Sequence, residues 1–92
     1  MMKMRIDAIF DISNIRILLY LLENEKARYS DLLKYVIPVR STLALALREL
    51  KKDNLIERNV EATTPVKTWY SLTDLGKEAA MHLQALKNLI KS

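Results

Sequence analysis

Ser30-Asp31-Leu32-Leu33-Lys34-Tyr35-Val36-Ile37-Pro38-Val39-Arg40-Ser41-Thr42-Leu43-Ala44-Leu45-Ala46-Leu47-Arg48-Glu49-Leu50 contains two helical patterns separated by a hard stop. Ser30 can cap a short helix whose inward residues are Leu33 and Val36. Pro38 lacks an N–H and drives Ile37 out of the helical region, so that helix has to end by about Val36. Beyond the proline, Leu43, Leu47 and Leu50 recur at helical spacing, and Ala46 is small enough for a close crossing. A second helix is therefore expected from Arg40 to Asp53. Together these make a helix-turn-helix over about residues 30–53.

Downstream, Leu55-Ile56-Glu57-Arg58-Asn59-Val60 reads as a strand, Thr63-Thr64-Pro65 as a turn, and Lys67 to Leu72 as a second strand. This predicts a hairpin over about residues 55–72, with Tyr70 and Leu72 on one face and Trp69 on the other. Thr73 can cap a last helix, about residues 73–91, and Asp74 suits its N-terminal dipole. Gly76, the single glycine, lies in its first turn. Glycine there costs about 1 kcal/mol against alanine, which predicts close approach to another backbone. Leu75, Ala79, Leu83, Leu86 and Ile90 follow at near-heptad spacing.

Upstream, Asp11 or Ser13 can cap a helix from about Asn14 to Glu23. Ile15, Leu18, Leu19 and Leu22 form its expected core face, widened by Ile17 and Leu21, so this helix should be central. Ala27–Tyr29 suits a short strand, and Met4–Phe10 a short helical turn. No repeat or linker interrupts the chain. The expectation is one domain over residues 1–92, mostly α with a small β-hairpin (α+β) and an extended C-terminal helix.

The chain has 92 residues, no cysteine and a net charge of +4. Without cysteine there is no disulfide framework, zinc knuckle or thiol sensor. The first ten residues lack the long apolar core of a signal peptide, and Ile17–Leu22 is too short to span a bilayer. No membrane association and no cofactor are expected, and a cytoplasmic, nucleoid-associated location is. Arg28 to Lys52 holds six basic and two acidic residues, which accounts for the whole positive excess. That charge lies on the helix-turn-helix, as phosphate binding requires.

Arg28-Tyr29-Ser30-Asp31-Leu32, then Leu43 to Leu50, then Asp53-Asn54-Leu55-Ile56-Glu57-Arg58 resemble the winged helix-turn-helix regulators. Tyr70-Ser71-Leu72-Thr73-Asp74-Leu75-Gly76 resembles their strand-to-helix signature after the wing. The likeness is to the HxlR-type branch, with MarR, PadR and ArsR types as neighbours, and covers about Ile12 to Leu86. It implies a homodimeric, sequence-specific transcription regulator. The second helix of the motif would read the major groove of double-stranded DNA, and the wing would touch its backbone. HxlR-type proteins usually carry an N-terminal cysteine, absent here, so thiol sensing does not carry over. The family often has glycine in the turn and at the Asn54 position. Here the turn is Ile37-Pro38-Val39, and Asn54 must supply the left-handed cap.

On the second helix, Arg40, Ser41, Thr42, Ala44, Leu45, Arg48 and Lys52 are the candidate groove residues. Arg40 and Arg48 can pair with phosphate or guanine. Ala44 and Leu45 are unusual; they suit thymine methyls, weak discrimination, or a protein partner instead of DNA. Tyr29, Ser30, Lys34, Arg58, Thr64 and Lys67 are candidates for backbone contacts, with Arg58 and Lys67 flanking the hairpin tip. Residues 53–70 net −1, however, so this wing is less basic than a strong binder's. Trp69 is expected to pack on a neighbouring helix or a second subunit. Ala79, Leu83, Leu86 and Ile90 are the candidate dimer interface. His82, the single histidine, has no partner for a metal site or nucleophile–base pair, so no metal and no enzyme activity are expected. Two rivals stay open: an architectural DNA binder of low specificity, and a winged-helix protein-interaction module.

Overall fold

The computed structural model describes residues 11–91; the helical turn expected over residues 4–10 lies outside them. The chain runs α1 (Ile12–Asn24), β1 (Lys26–Arg28), α2 (Tyr29–Tyr35), α3 (Arg40–Lys52), β2 (Ile56–Glu61), β3 (Lys67–Leu72) and α4 (Asp74–Lys91). These four helices and three strands among the described residues form the expected α+β, winged helix-turn-helix architecture.

The Asp11 carboxylate caps α1 by accepting from the Ser13 N–H at 3.0 Å. Ile17, Leu18 and Leu21 are its buried residues, together with Asn14, whereas Ile15, Leu19 and Leu22 are half-buried. The core face is thus centred about one position away from the expected row. A helix apolar nearly all round gives periodicity little to choose between, and tertiary packing decides: α1 contacts α3, α4 and the sheet.

Ser30 does not cap α2. The helix begins one residue earlier, and the Arg28 N–H donates to the Asp31 carboxylate at 3.0 Å, half of a capping box. Leu32, not Leu33, is its fully buried residue. Ile37, expelled from the helix by Pro38, is buried in the core.

α3 buries Leu43, Ala46, Leu47 and Leu50 as expected. It ends in a Schellman motif: the Leu55 N–H donates to the Leu50 carbonyl at 2.9 Å and the Asn54 N–H to the Lys51 carbonyl at 3.1 Å. Asn54 takes the left-handed conformation (φ 60°) that its position demands.

β1, β2 and β3 form an antiparallel sheet in the order β1-β3-β2. Ala27 pairs with Tyr70 and Arg28 with Trp69; on the other side of β3, Ile56 pairs with Leu72, Arg58 with Tyr70, Asn59 with Trp69 and Glu61 with Lys67. Side chains alternate along a strand, so Ile56, Arg58, Val60, Thr68, Tyr70 and Leu72 share the inner face. Glu57, Glu61, Lys67, Trp69 and Ser71 share the outer one.

One junction holds α3, the hairpin and α4 together. The Thr73 hydroxyl donates to the Asn54 carbonyl at 2.7 Å and accepts from the Gly76 N–H at 3.0 Å. It therefore links the C-terminal end of α3 to the N-cap of α4. The Thr73 N–H donates to the Leu55 carbonyl at 3.1 Å. Gly76 lies directly over that carbonyl, so any Cβ on it would collide with the Leu55 oxygen. The close backbone approach read from the lone glycine is present.

Candidate nucleic-acid interface

α3 turns one stripe into the core and leaves the other to solvent. Arg40, Ser41, Thr42, Ala44, Leu45, Arg48 and Lys52, all expected on its free face, are exposed. Lys51 joins them: it stands one turn beyond Arg48 on the side facing the hairpin. Ala44, Arg48 and Lys51 line one wall of a groove of about 220 Å³, with Arg58 and Tyr29 opposite and Tyr70 in its floor. Lys51 escaped the sequence reading, although residues 44, 48 and 51 fall on one helical stripe (i, i+4, i+7).

The hairpin divides its charges between its two faces. Arg58, paired with Tyr70, is on the inner face and reaches the α3 groove. Lys67, paired with Glu61, is on the outer face. The two therefore do not flank the tip together as expected, because they sit at opposite parity in the ladder. Thr64 is exposed at the tip, where the Thr63 hydroxyl donates to the Pro65 carbonyl at 2.8 Å. Ser30 and Lys34 are exposed on α2, with the Lys34 ammonium 5.2 Å from the Tyr35 ring centroid. Trp69 is half-buried on the outer face, where the Lys26 ammonium of β1 lies over its ring, 4.4 Å from the centroid.

A second surface lies across the molecule. Leu83 is half-buried against the chain's own core, as is Ala79, while Ala80 is fully buried. Leu86, Leu89 and Ile90 are 50%, 73% and 75% exposed. The seam read along α4 is therefore split: Ala79 and Leu83 fold inward, whereas Leu75 near its start and Leu86 and Ile90 near its end are exposed. Ile15 and Leu19 of α1 join Leu83, Leu86 and Ile90 in an apolar trough of about 400 Å³, edged by Lys87 and Lys91. Next to it, Tyr20 has its hydroxyl pKa raised, first by desolvation and then by the charge of Asp31 and by Tyr35 and Glu23. His82 is exposed on α4. No described helix is long and apolar enough to cross a membrane.

Comparison with known proteins agrees with this architecture. The sequence profile described as HxlR-like helix-turn-helix matches residues 14–92. An uncharacterized HTH-type transcriptional regulator of Bacillus subtilis, YdeP, is 42% identical over 62 residues, which are 66% of this chain and 48% of that protein. The chain thus spans about half the length of this relative. Among solved structures, the putative transcriptional regulator YtfH of Salmonella typhimurium is similar with a TM-score of 0.79 and 28% identity, over 94% of this chain and 77% of that one. Diamide-treated YodB of B. subtilis is similar with a TM-score of 0.75 and 26% identity, over 89% and 81% of the two chains.

Proposed function

The chain belongs to the HxlR-like helix-turn-helix family of transcription regulators, and from that premise we propose that it binds specific duplex DNA sites as a homodimer. α3 enters the major groove and β2 lies along the adjoining backbone. The observation that carries this reading is the solvent face of α3. Arg40, Arg48, Lys51 and Lys52 are exposed there, and Arg58 meets them across the groove from the wing. Cations on one helix face with a fifth on an adjacent strand supply the charge that a helix in the major groove needs against the phosphates flanking it. Tyr29, Ser30 and Lys34, at the start and on the exposed side of α2, serve as backbone contacts beside it.

The apolar trough between α1 and α4 supplies the dimer contact. Leu86 and Ile90 are too exposed for a lone chain to gain from them, and a second copy packed through the same trough would bury both sets. A two-fold pair would set the two α3 helices about 34 Å apart, one turn of DNA.

The experiment is fluorescence anisotropy against a mixed-sequence duplex across a salt series, with the DNA upstream of the protein's own coding sequence as competitor. Steeply salt-dependent binding, won by the upstream DNA by about a hundredfold, is the expected result. Equal competition would leave an architectural binder instead. Absence of binding at low salt would refute DNA recognition altogether.

A further inference from the structure

Leu45 sits in the middle of the α3 solvent face and is 53% exposed. It lies one turn after Ser41 and one turn before Arg48, with Ala44 beside it. Of the eight exposed positions on α3, four are cationic, two carry hydroxyls and two are these apolar residues. None carries the amide that reads adenine through N6 and N7, or the carboxylate that reads the cytosine amine. Arginine can still identify guanine. The Ser41 and Thr42 hydroxyls can bond to either pair and discriminate little, so the feature that marks an A·T pair for this helix is the thymine C5-methyl; Leu45, with Ala44 and the Thr42 methyl beside it, is the largest group on the face that gains by touching it.

On the reading of α3 as a major-groove helix, we propose that Leu45, flanked by Ala44, recognises thymine C5-methyl groups. The preferred half-site then has thymine opposite the second turn of α3. The surrounding cations explain why this apolar spot is aimed at DNA. A protein partner for Leu45 would have to bring its own apolar surface onto a helix whose exposed charges, Arg40, Arg48, Lys51 and Lys52, are all cationic, whereas duplex DNA presents methyls between two rows of phosphates.

The test starts by selecting tight-binding duplexes from a random pool with the unmodified protein. Each thymine of the selected site is then replaced singly by deoxyuridine, which removes only the methyl. At one or two thymines per half-site, affinity should fall about threefold to fivefold. Leu45→Ala, an exposed change whose fold is checked by its melting curve, should weaken binding to the thymine duplex by a similar factor. It should then bind the uridine duplex as the unmodified protein does, because both changes delete one contact. Equal affinity for uridine at every position overturns the proposal. Undiminished discrimination by Leu45→Ala overturns the assignment to Leu45, and unchanged affinity of that variant for the thymine duplex removes Leu45 from the DNA contacts. If the unmodified protein enriches no duplex, the site-specific reading on which the proposal rests has failed, and that is known before any uridine is introduced.

Discussion

Replacing Gly76 by alanine adds one methyl and should cost far more than one methyl usually does. The backbone of Gly76 is not left-handed, so the residue is there for space and not for conformation. An alanine Cβ would strike the Leu55 carbonyl oxygen, stand 2.9 Å from the Leu55 carbonyl carbon and 3.3 Å from Leu72 Cδ2. The main obstacle is backbone and cannot swing aside as a side chain would. It is also held from both ends, by the Schellman bond from the Leu55 N–H to Leu50 and by the Thr73 N–H on its oxygen. Relief therefore means moving α4 off β2. Overpacking costs about 1–3 kcal/mol, and an unyielding obstacle puts this site at the upper end. Loss of the Thr73–Leu55 bond adds about 1 kcal/mol, while alanine returns about 1 kcal/mol of helix propensity. The net is about 3 kcal/mol out of a total that is about 5–15 kcal/mol for most domains. At about 4–8 °C per kcal/mol for a chain of this size, Gly76→Ala should lower Tm by roughly 12–24 °C. The assay is thermal unfolding by circular dichroism at matched protomer concentrations, because the proposed dimerisation would make Tm concentration-dependent. A Tm unchanged or raised would show that α4 can shift freely, and would refute the junction as the element that fixes α3 against α4.

Three further outcomes are expected. Arg48→Ala should weaken binding to every duplex and flatten the slope of log affinity against log salt by about one per bound protomer; an unchanged slope removes Arg48 from the phosphate contacts. Arg58→Ala should lower duplex affinity several-fold in the same anisotropy assay, whereas Lys67→Ala should change it by less than about twofold, and the reverse order would contradict the facing of the hairpin. Leu86→Asp combined with Ile90→Asp should halve the mass found by sedimentation while leaving the far-ultraviolet dichroism intact, since both residues are exposed in the single chain; a retained dimer would place the interface elsewhere.

Features enforced by backbone chemistry were legible from sequence. Pro38 ended α2, Asn54 took its left-handed cap, Thr73 capped α4, and the lone glycine marked a close approach of α4 to the Leu55 backbone. Each follows from a local rule with few alternatives. Features that depend on which neighbour a side chain meets were harder to read. α1 is apolar on several faces, so its core row could not be told from the row bordering the trough. Ser30 looked like a cap, but Asp31 satisfied the free N–H from inside the helix. Nothing in sequence announces that β1 would deliver Lys26 onto the Trp69 ring, beside the helix or second-subunit packing expected for it. Lys51 was missed because sequence defines a helix face only relative to its core, and the hairpin selects which part of that face becomes a groove.

The ladder register also explains how a chain of modest net charge can serve a polyanion. The excess over residues 28–52 is concentrated further by folding, because the exposed positions of α3 include four cations and no carboxylate. The wing works differently. On its inner face the ladder places one charged residue, Arg58, among Ile56, Val60, Thr68, Tyr70 and Leu72. Its carboxylates are kept away from α3: Glu57 and Glu61 fall on the outer face, where Glu61 is opposite Lys67. A shift of one residue in the β2–β3 pairing would turn Glu57 toward Arg48 and Lys51 and carry Arg58 away, reversing the sign of the wing's contribution to the groove. Net charge over residues 53–70 is therefore a poor guide to this wing. Parity along the strand decides its electrostatics, which is why Arg58 and Lys67, equal in charge, are expected to differ in their effect on duplex affinity.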